Sequence, residues 1–177
     1  MLIAETPRLR LRQLRSGLDE TDILALLNEP SFHAWIGDRG VRDLGDAQRY
    51  LREGPEASYA RYGFGLYAVE RREDGQWLGM AGLLQRDYLE APDIGYALRE
   101  HATGQGYARE AVAAVLAHAG ELGLTRLLAI VTPGNLRSTR LLEEVGFHLE
   151  GLRRVRDDDE VAVYARQVQA DARAPVS

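Results

Sequence analysis

The chain has 177 residues, 45% hydrophobic and 28% charged, a size and balance that allow a proper core and exclude disorder or collagen-like repetition. It has no cysteine, and all 22 basic residues are Arg, so disulfide scaffolds, thiolate metal sites, cysteine nucleophiles and lysine Schiff-base or P-loop chemistry are excluded together. A formal net charge of −5 argues against a sequence-independent grip on nucleic acid and suits plain solubility or a cationic partner; the short apolar runs predict no membrane span, no signal peptide and a cytoplasmic location.

No repeat or linker divides the sequence, so residues 1–168 are read as one domain and 169–177 as a flexible tail. Leu9, Leu11 and Gln13 alternate with Arg8, Arg10 and Arg12, the period of two of a half-buried strand with one charged face. Two helical stretches follow. The first runs from about Asp19 through Leu27 and stops before Pro30; the second begins near Asp43 or Asp46 and is expected to break at Gly54-Pro55. Phe64 to Arg71 and Gln76 to Arg86 flank Glu73-Asp74-Gly75 and predict a hairpin, which Ala91 to Arg99 extends.

After a glycine-bearing loop, Tyr107, Ala111, Val112, Val115, Leu116 and Ala119 recur at helical spacing, and Gly123 marks the end of that helix. Leu127 to Val131 is an apolar strand. Asn135 is a good N-cap for a helix through Leu141, Leu142 and Val145 that stops at Gly146. Two last strands, about Phe147 to Arg154 and Val161 to Val168, flank the acidic turn Asp157 to Asp159. The fold class is α/β (α+β), a mixed and mostly antiparallel sheet of six to seven strands with helices on its faces.

The segment from Asp93 to Ala108 carries the most chemical information. A strand ends, Gly104 and Gly106 let the backbone turn, and the unpaired N–H groups of the next helix face outward with the positive end of its dipole, which makes an anion cradle. A tight strand-to-helix turn is the plainer reading of the same glycines. The spacing fits neither a dinucleotide-binding fingerprint nor a P-loop. Downstream, Asn135-Leu-Arg-Ser138 opens a helix that ends in Gly146-Phe147.

These two segments together resemble the GNAT superfamily of acyl-CoA-dependent N-acyltransferases. Thr6-Pro-Arg-Leu-Arg-Leu-Arg, Ile94-Gly-Tyr96, Asn135-x-x-Ser138 and the strand bearing Tyr164 look like its ribosomal-protein N-terminal acetyltransferase (RimJ/RimL type) branch, over about Glu5 to Val168. The resemblance implies a GNAT-like sheet splayed between its fourth and fifth strands. It also implies acetyl-CoA as co-substrate, its pantetheine on the edge of Ile94, Tyr96 and Leu98 and its pyrophosphate in the loop Gly104, Gln105, Gly106, Tyr107 and Ala108, with Asn135 and Ser138 completing the site. Two positions depart from the wider pattern: His101 stands where Gln or Arg is frequent, and Leu142 where many relatives place a tyrosine that protonates the departing thiolate. Ser138 is the substitute that the resemblance implies.

Acyl transfer to an amine requires a group to take the amine's proton, a polarised thioester oxygen and a proton or hydrogen bond for the thiolate. Backbone N–H groups of the splayed strand can serve the oxygen. Asp93, Glu150 and Glu160 are the acidic candidates for the base, each equally readable as a solvated strand-edge carboxylate. Asn135 is readable as a cap alone. Trp35, Tyr50, Tyr59 and Tyr62 fall in the helical region that covers the acceptor cleft in this family. The four histidines lack metal-ligand spacing, and no metal is expected. The expected activity is direct transfer, in a ternary complex, of an acetyl group to a peptide or protein N-terminal α-amine or a small-molecule amine. The expected protein is a monomer or homodimer. The competing class is a catalytically weak CoA-binding or regulatory module.

Overall fold

The strand Leu9–Gln13 alternates buried and exposed residues, whereas the central strands read as near-continuous apolar runs, such as Trp77 to Leu84, because helices and loops cover both faces of the eight-stranded sheet. The computed structural model describes residues 1–155 and 159–169; Asp157 and Asp158 of the acidic turn, and the expected tail beyond Gln169, lie outside the described residues. In chain order the elements are β1 (Leu2–Glu5), β2 (Leu9–Gln13), α1 (Glu20–Leu27), α2 (Pro30–Trp35), α3 (Leu44–Leu51), α4 (Ala57–Tyr62), β3 (Leu66–Arg71), β4 (Trp77–Leu84), β5 (Asp93–Leu98), α5 (Tyr107–Glu121), β6 (Arg126–Val131), α6 (Leu136–Glu144), β7 (His148–Arg154) and β8 (Glu160–Gln167). The sheet order is β1-β2-β3-β4-β5-β6-β8-β7.

The sheet exceeds the expected six to seven strands because β1, four residues long and partly exposed, pairs antiparallel with β2. Two helical expectations are also corrected. Pro30 starts α2 instead of only closing off α1, since a first-turn residue has no N–H to contribute to the helix. At Gly54-Pro55 the helix does not break: a π-helical turn over Arg52–Glu56 widens the ladder, carries Pro55 inside it and leads into α4.

On one face Leu9, Leu11, Tyr67, Val69, Leu78, Leu83, Ile94, Leu127 and Tyr164 pack against Ala111, Val112 and Val115 of α5 and Leu142 of α6. On the other, Leu14, Leu66, Ala68, Met80 and Ala97 pack against Ile23, Leu26 and Leu27 of α1 and Ala47 and Leu51 of α3. The sheet therefore separates the α5–α6 layer from the α1–α4 side, where α1, α2 and α3 pack, while Tyr59 of α4 reaches into the first cluster. Arg12 crosses from the sheet to the buried Asp19 before α1, with Nη2 2.8 Å and Nη1 3.0 Å from its carboxylate oxygens.

β4 and β5 are fully paired, whereas β5 and β6, the only parallel neighbours among the described residues, meet at Asp93 opposite Leu128 and then diverge. These are the expected fourth and fifth strands, renumbered by β1. The Leu128 N–H donates to the Pro92 carbonyl at 2.9 Å and closes the apex of this opening. Beyond it, backbone groups on the facing edges of β5 and β6 have no strand to pair with among the described residues.

Candidate active site

The divergence of β5 and β6 opens a cleft of about 2120 Å³ that reaches both faces of the sheet. β5 supplies it with two different chemistries, because successive side chains on a strand point to opposite faces. Ile94, Tyr96 and Leu98 lie on the α5–α6 side. Asp93, Gly95 and Ala97 face the α1–α4 side, where a β-carbon on Gly95 would meet Leu84 and Leu66.

On the α5–α6 side, the chain leaves β5 through a short 3-10 turn, Glu100–Ala102, and then enters the glycine loop. Gly104 and Gly106 adopt φ of +74° and +81°, and Gly106 is the N-cap of α5. The first-turn N–H groups of Tyr107, Ala108 and Arg109 have no preceding helical carbonyl to bond. Gly104, Gly106, Tyr107 and Ala108 line the cleft and Gln105 does not. The Gln105 side chain instead donates to the His101 carbonyl at 3.0 Å, so only its backbone belongs to the loop. The Tyr107 ring is core, leaving its N–H as its contribution. With free donors, a helix dipole and no bulky side chain, the loop fits a pyrophosphate.

Opposite the loop, α6 begins at Asn135, whose Oδ1 accepts from the Ser138 N–H at 3.4 Å. The capping reading of Asn135 is therefore observed, and the residue also lines the cleft. Ser138 Oγ accepts from the Tyr96 hydroxyl at 3.0 Å. Burial raises the Tyr96 pKa against the pull of this hydrogen bond, so Tyr96 stays protonated. No other hydroxyl partner is found for Ser138 among the described residues. Leu142 is buried against Phe147 and the α5 core. Arg109 and Arg137, which the sequence reading passed over, border the cleft from the starts of α5 and α6. Surface arginines carry no periodic signal that would single them out.

On the α1–α4 side, Asp93 is 1% exposed. Arg86 Nε lies 3.2 Å from each of its carboxylate oxygens, and Arg86 Nη1 donates to the Tyr88 hydroxyl at 2.9 Å. Burial pushes the Asp93 pKa up to about 6, and Arg86 works against this. The group is thus a carboxylate at neutral pH, with a basicity well above that of an exposed aspartate.

Glu160, at the start of β8, borders the same cleft and is exposed. Glu150 does not reach it. Its carboxylate is 2.6 Å from Arg126 on the outer part of the sheet, because β7 is an edge strand beyond β8, and it is set aside as a base. Trp35, Tyr50 and Tyr62 line the cleft. Tyr59 is core instead, stacked on Tyr67 with ring centroids 5.6 Å apart and its hydroxyl accepting from the Leu14 N–H at 3.0 Å. Among the described residues no group of three or more His, Cys, Asp and Glu could hold a metal ion, and no helix is long and apolar enough to cross a membrane.

Residues 8–148 match the family model described as Acetyltransferase (GNAT) domain. An uncharacterised Bacillus subtilis protein, YkkB, is 28% identical over 165 residues, 92% of this chain and 94% of its own length. The probable N-acetyltransferase YjcK of the same organism is 41% identical over 96 residues, about half of each chain (52% and 51%). Among solved structures, an acetyltransferase from Agrobacterium tumefaciens superposes with a TM-score of 0.77 at 27% identity over 92% of both chains. The RimL ribosomal L7/L12 alpha-N-protein acetyltransferase in complex with coenzyme A superposes with a TM-score of 0.82 at 21% identity, covering 97% of this chain and 100% of that one.

Proposed function

The chain belongs to the GNAT acetyltransferase family, and from that membership we propose that it transfers the acetyl group of acetyl-CoA directly to a primary amine in a ternary complex. Residues 1–168 form the acetyltransferase unit in this reading. The observation that carries it is the division of labour along β5: the Tyr96–Ser138 hydroxyl pair lies toward α5–α6, and the raised carboxylate of Asp93 lies three residues away toward α1–α4. Acetyl-CoA lies along β5 with its pyrophosphate on the N–H groups of the Gly104–Ala108 loop. The amine enters past Trp35, Tyr50 and Tyr62.

The amine nitrogen attacks the thioester carbon, and the oxygen charge that develops is met by unpaired β5 backbone N–H groups. The amine's surplus proton passes to Asp93, directly or through one water. As the C–N bond forms and the C–S bond breaks, Ser138 gives the departing sulfur a hydrogen bond and Tyr96 compensates Ser138. Glu160, at the rim, attracts the incoming ammonium group. A peptide α-amine, with an ordinary pKa near 8 against about 10.4 for lysine, asks less of a base at about 6. This favours peptide, protein or amino-acid N-termini over lysine-like amines. The alpha-amino activity named for the RimL neighbour is consistent with that preference.

The test is release of free thiol from acetyl-CoA with panels of peptide N-termini and small amines. Turnover with an α-amine supports the proposal. Stoichiometric acetyl-CoA binding without turnover on either panel would replace it with the regulatory CoA-binding reading.

A further inference from the structure

The Thr6-Pro7-Arg8 motif takes no part in the chemistry above, yet it meets the cofactor loop at several points. Thr6 Oγ1 donates to Glu110 Oε2, and the Arg8 backbone N–H donates to the same oxygen at 3.0 Å. Arg8 Nε donates to Glu110 Oε1 at 2.8 Å, and Nη1 donates to the Gln105 carbonyl at 2.9 Å. The guanidinium carbon lies 4.4 Å from the centroid of the Tyr107 ring. A β-carbon on Gly106 would stand 3.2 Å from Arg8 Nη2. One arginine thus contacts or adjoins residues 105, 106, 107 and 110, which span the loop and the first turn of α5.

Two physical facts make this arrangement more than packing. Glycine gives up more conformational freedom than any other residue when it is fixed, so a loop with two left-handed glycines does not hold its N–H groups in register by itself. An anion site that must order on binding loses affinity to that cost. In addition, Glu110 sits in the first turn of α5, where a carboxylate suits the helix dipole. Its charge is met by Arg8 at 2.8 Å, so it anchors the arginine at the loop without leaving an unpaired negative charge beside the proposed pyrophosphate.

We propose that Arg8, held by Glu110 and Thr6, is a positioning residue that clamps the Gly104–Ala108 loop in its phosphate-accepting conformation. This rests on the reading of that loop as the CoA pyrophosphate site. The arginine acts through the loop backbone and is not itself a phosphate ligand.

The sign of one substitution separates the two roles. Acetyl-CoA binding is measured by calorimetry on wild type, Arg8→Ala, Arg8→Lys and Glu110→Gln, with hydrogen exchange of the ligand-free proteins read at residues 105–108 and, as a control, in β4. The clamp predicts that Arg8→Ala and Glu110→Gln each raise Kd about tenfold. Both should speed exchange in the loop and leave β4 unchanged, and Arg8→Lys should recover only part of the loss because it cannot bond Glu110 and Gln105 as a fork. Direct phosphate ligation predicts instead that removing the Glu110 charge leaves affinity unchanged or improves it, and that result would overturn the clamp. Unchanged affinity in both Arg8→Ala and Glu110→Gln, or faster exchange extending into β4, would also overturn it. A wild-type protein that binds no acetyl-CoA would bring down the pyrophosphate reading and the clamp with it, whereas wild-type binding with indifferent variants would bring down the clamp alone.

Discussion

The hydroxyl of Tyr96 donates to Ser138 Oγ at 3.0 Å across the opening between β5 and α6. The pair joins residues 42 positions apart and occupies the side of the cleft to which the Gly104–Ala108 loop belongs. Where the family resemblance implies a tyrosine on the helix the chain has the buried Leu142, but a phenol still reaches this part of the cleft from the strand. A serine hydroxyl with its lone pair engaged by Tyr96 is a better donor to a departing thiolate than an isolated one, since chained hydrogen bonds polarise each other.

Ser138→Ala should therefore lower kcat by about 10- to 100-fold while leaving acetyl-CoA affinity nearly unchanged, as an interaction made mainly in the transition state requires. Tyr96→Phe should cost about tenfold or less. The double variant should be no slower than Ser138→Ala alone, because the two hydroxyls act in series. Rapid-mixing kinetics with the best amine of the panel measure this, and fully additive losses would show that the hydroxyls act independently.

Gly106→Val should weaken acetyl-CoA binding by about 1 to 3 kcal/mol. A β-branched residue is strained at φ +81°, and its β-carbon would press on Arg8 Nη2 at 3.2 Å. Calorimetry alongside thermal unfolding distinguishes lost affinity from lost fold. Unchanged affinity in a folded variant would remove the loop from the binding site.

The pH dependence follows from Asp93, whose pKa is raised from an ordinary 3.8 to about 6 by burial, partly opposed by Arg86. A base must be unprotonated, so turnover should rise as pH passes through about 6, and rise again through the pKa of the amine. Asp93→Asn should remove the first rise and depress the neutral rate more than the alkaline one, whereas Glu160→Gln should chiefly raise KM for cationic acceptors. If neither variant changes the pH–rate profile, neither carboxylate is the base.

Stability should depend on the same group with the opposite appearance. The folded state holds the Asp93 proton more tightly than the unfolded chain does. Its contribution to stability is therefore full below the ordinary carboxylate range and is lost as pH rises from about 4 through about 6. Urea unfolding of wild type and Asp93→Asn across this window measures the difference: the wild-type slope against pH should be the more negative. Equal slopes would show that Asp93 titrates normally.

Gly82→Ala tests the strand that supports β5. A β-carbon there would stand 2.1 Å from the Gly65 carbonyl oxygen, a backbone group that cannot rotate away, so the variant should lose about 1 to 3 kcal/mol of stability through overpacking. Denaturant midpoints measure the loss.

Much of the fold was legible because its signals are periodic. Leu9 and Leu11 alternate with arginines, and Ala111, Val112 and Val115 repeat at helical spacing, so both segments announced the face they bury. What escaped had no period to read. β1 is four partly exposed residues held by β2. Pro30 and Pro55 signal both interruption and its accommodation, as a first helical residue in one case and inside a π turn in the other. In the candidate site, Gly104 and Gly106 were read from a local glycine motif and Ser138 from the family resemblance. The bond of Tyr96 to Ser138, the pairing of Arg86 with Asp93 and the grip of Arg8 on Glu110 join residues that only the folded sheet brings together. Glu150 was misplaced for the same reason: its strand lies one position further out than a sequence of segments can tell.

The sheet that divides α1–α4 from α5–α6 has a bearing on how such a protein can diversify. Helices α1 to α3, beside the proposed amine entrance, rest on their own apolar cluster, with Ile23, Leu26, Ala47 and Leu51 at its centre. The residues proposed to hold the nucleotide rest on another, around Val112, Val115 and Leu127. Changes in the first layer can accumulate, and the entrance be reshaped for a new amine, while selection on the second keeps the acetyl donor in place. Exchange of the segment from α1 to α4 between relatives of this kind should therefore carry acceptor preference with it and leave the donor unchanged.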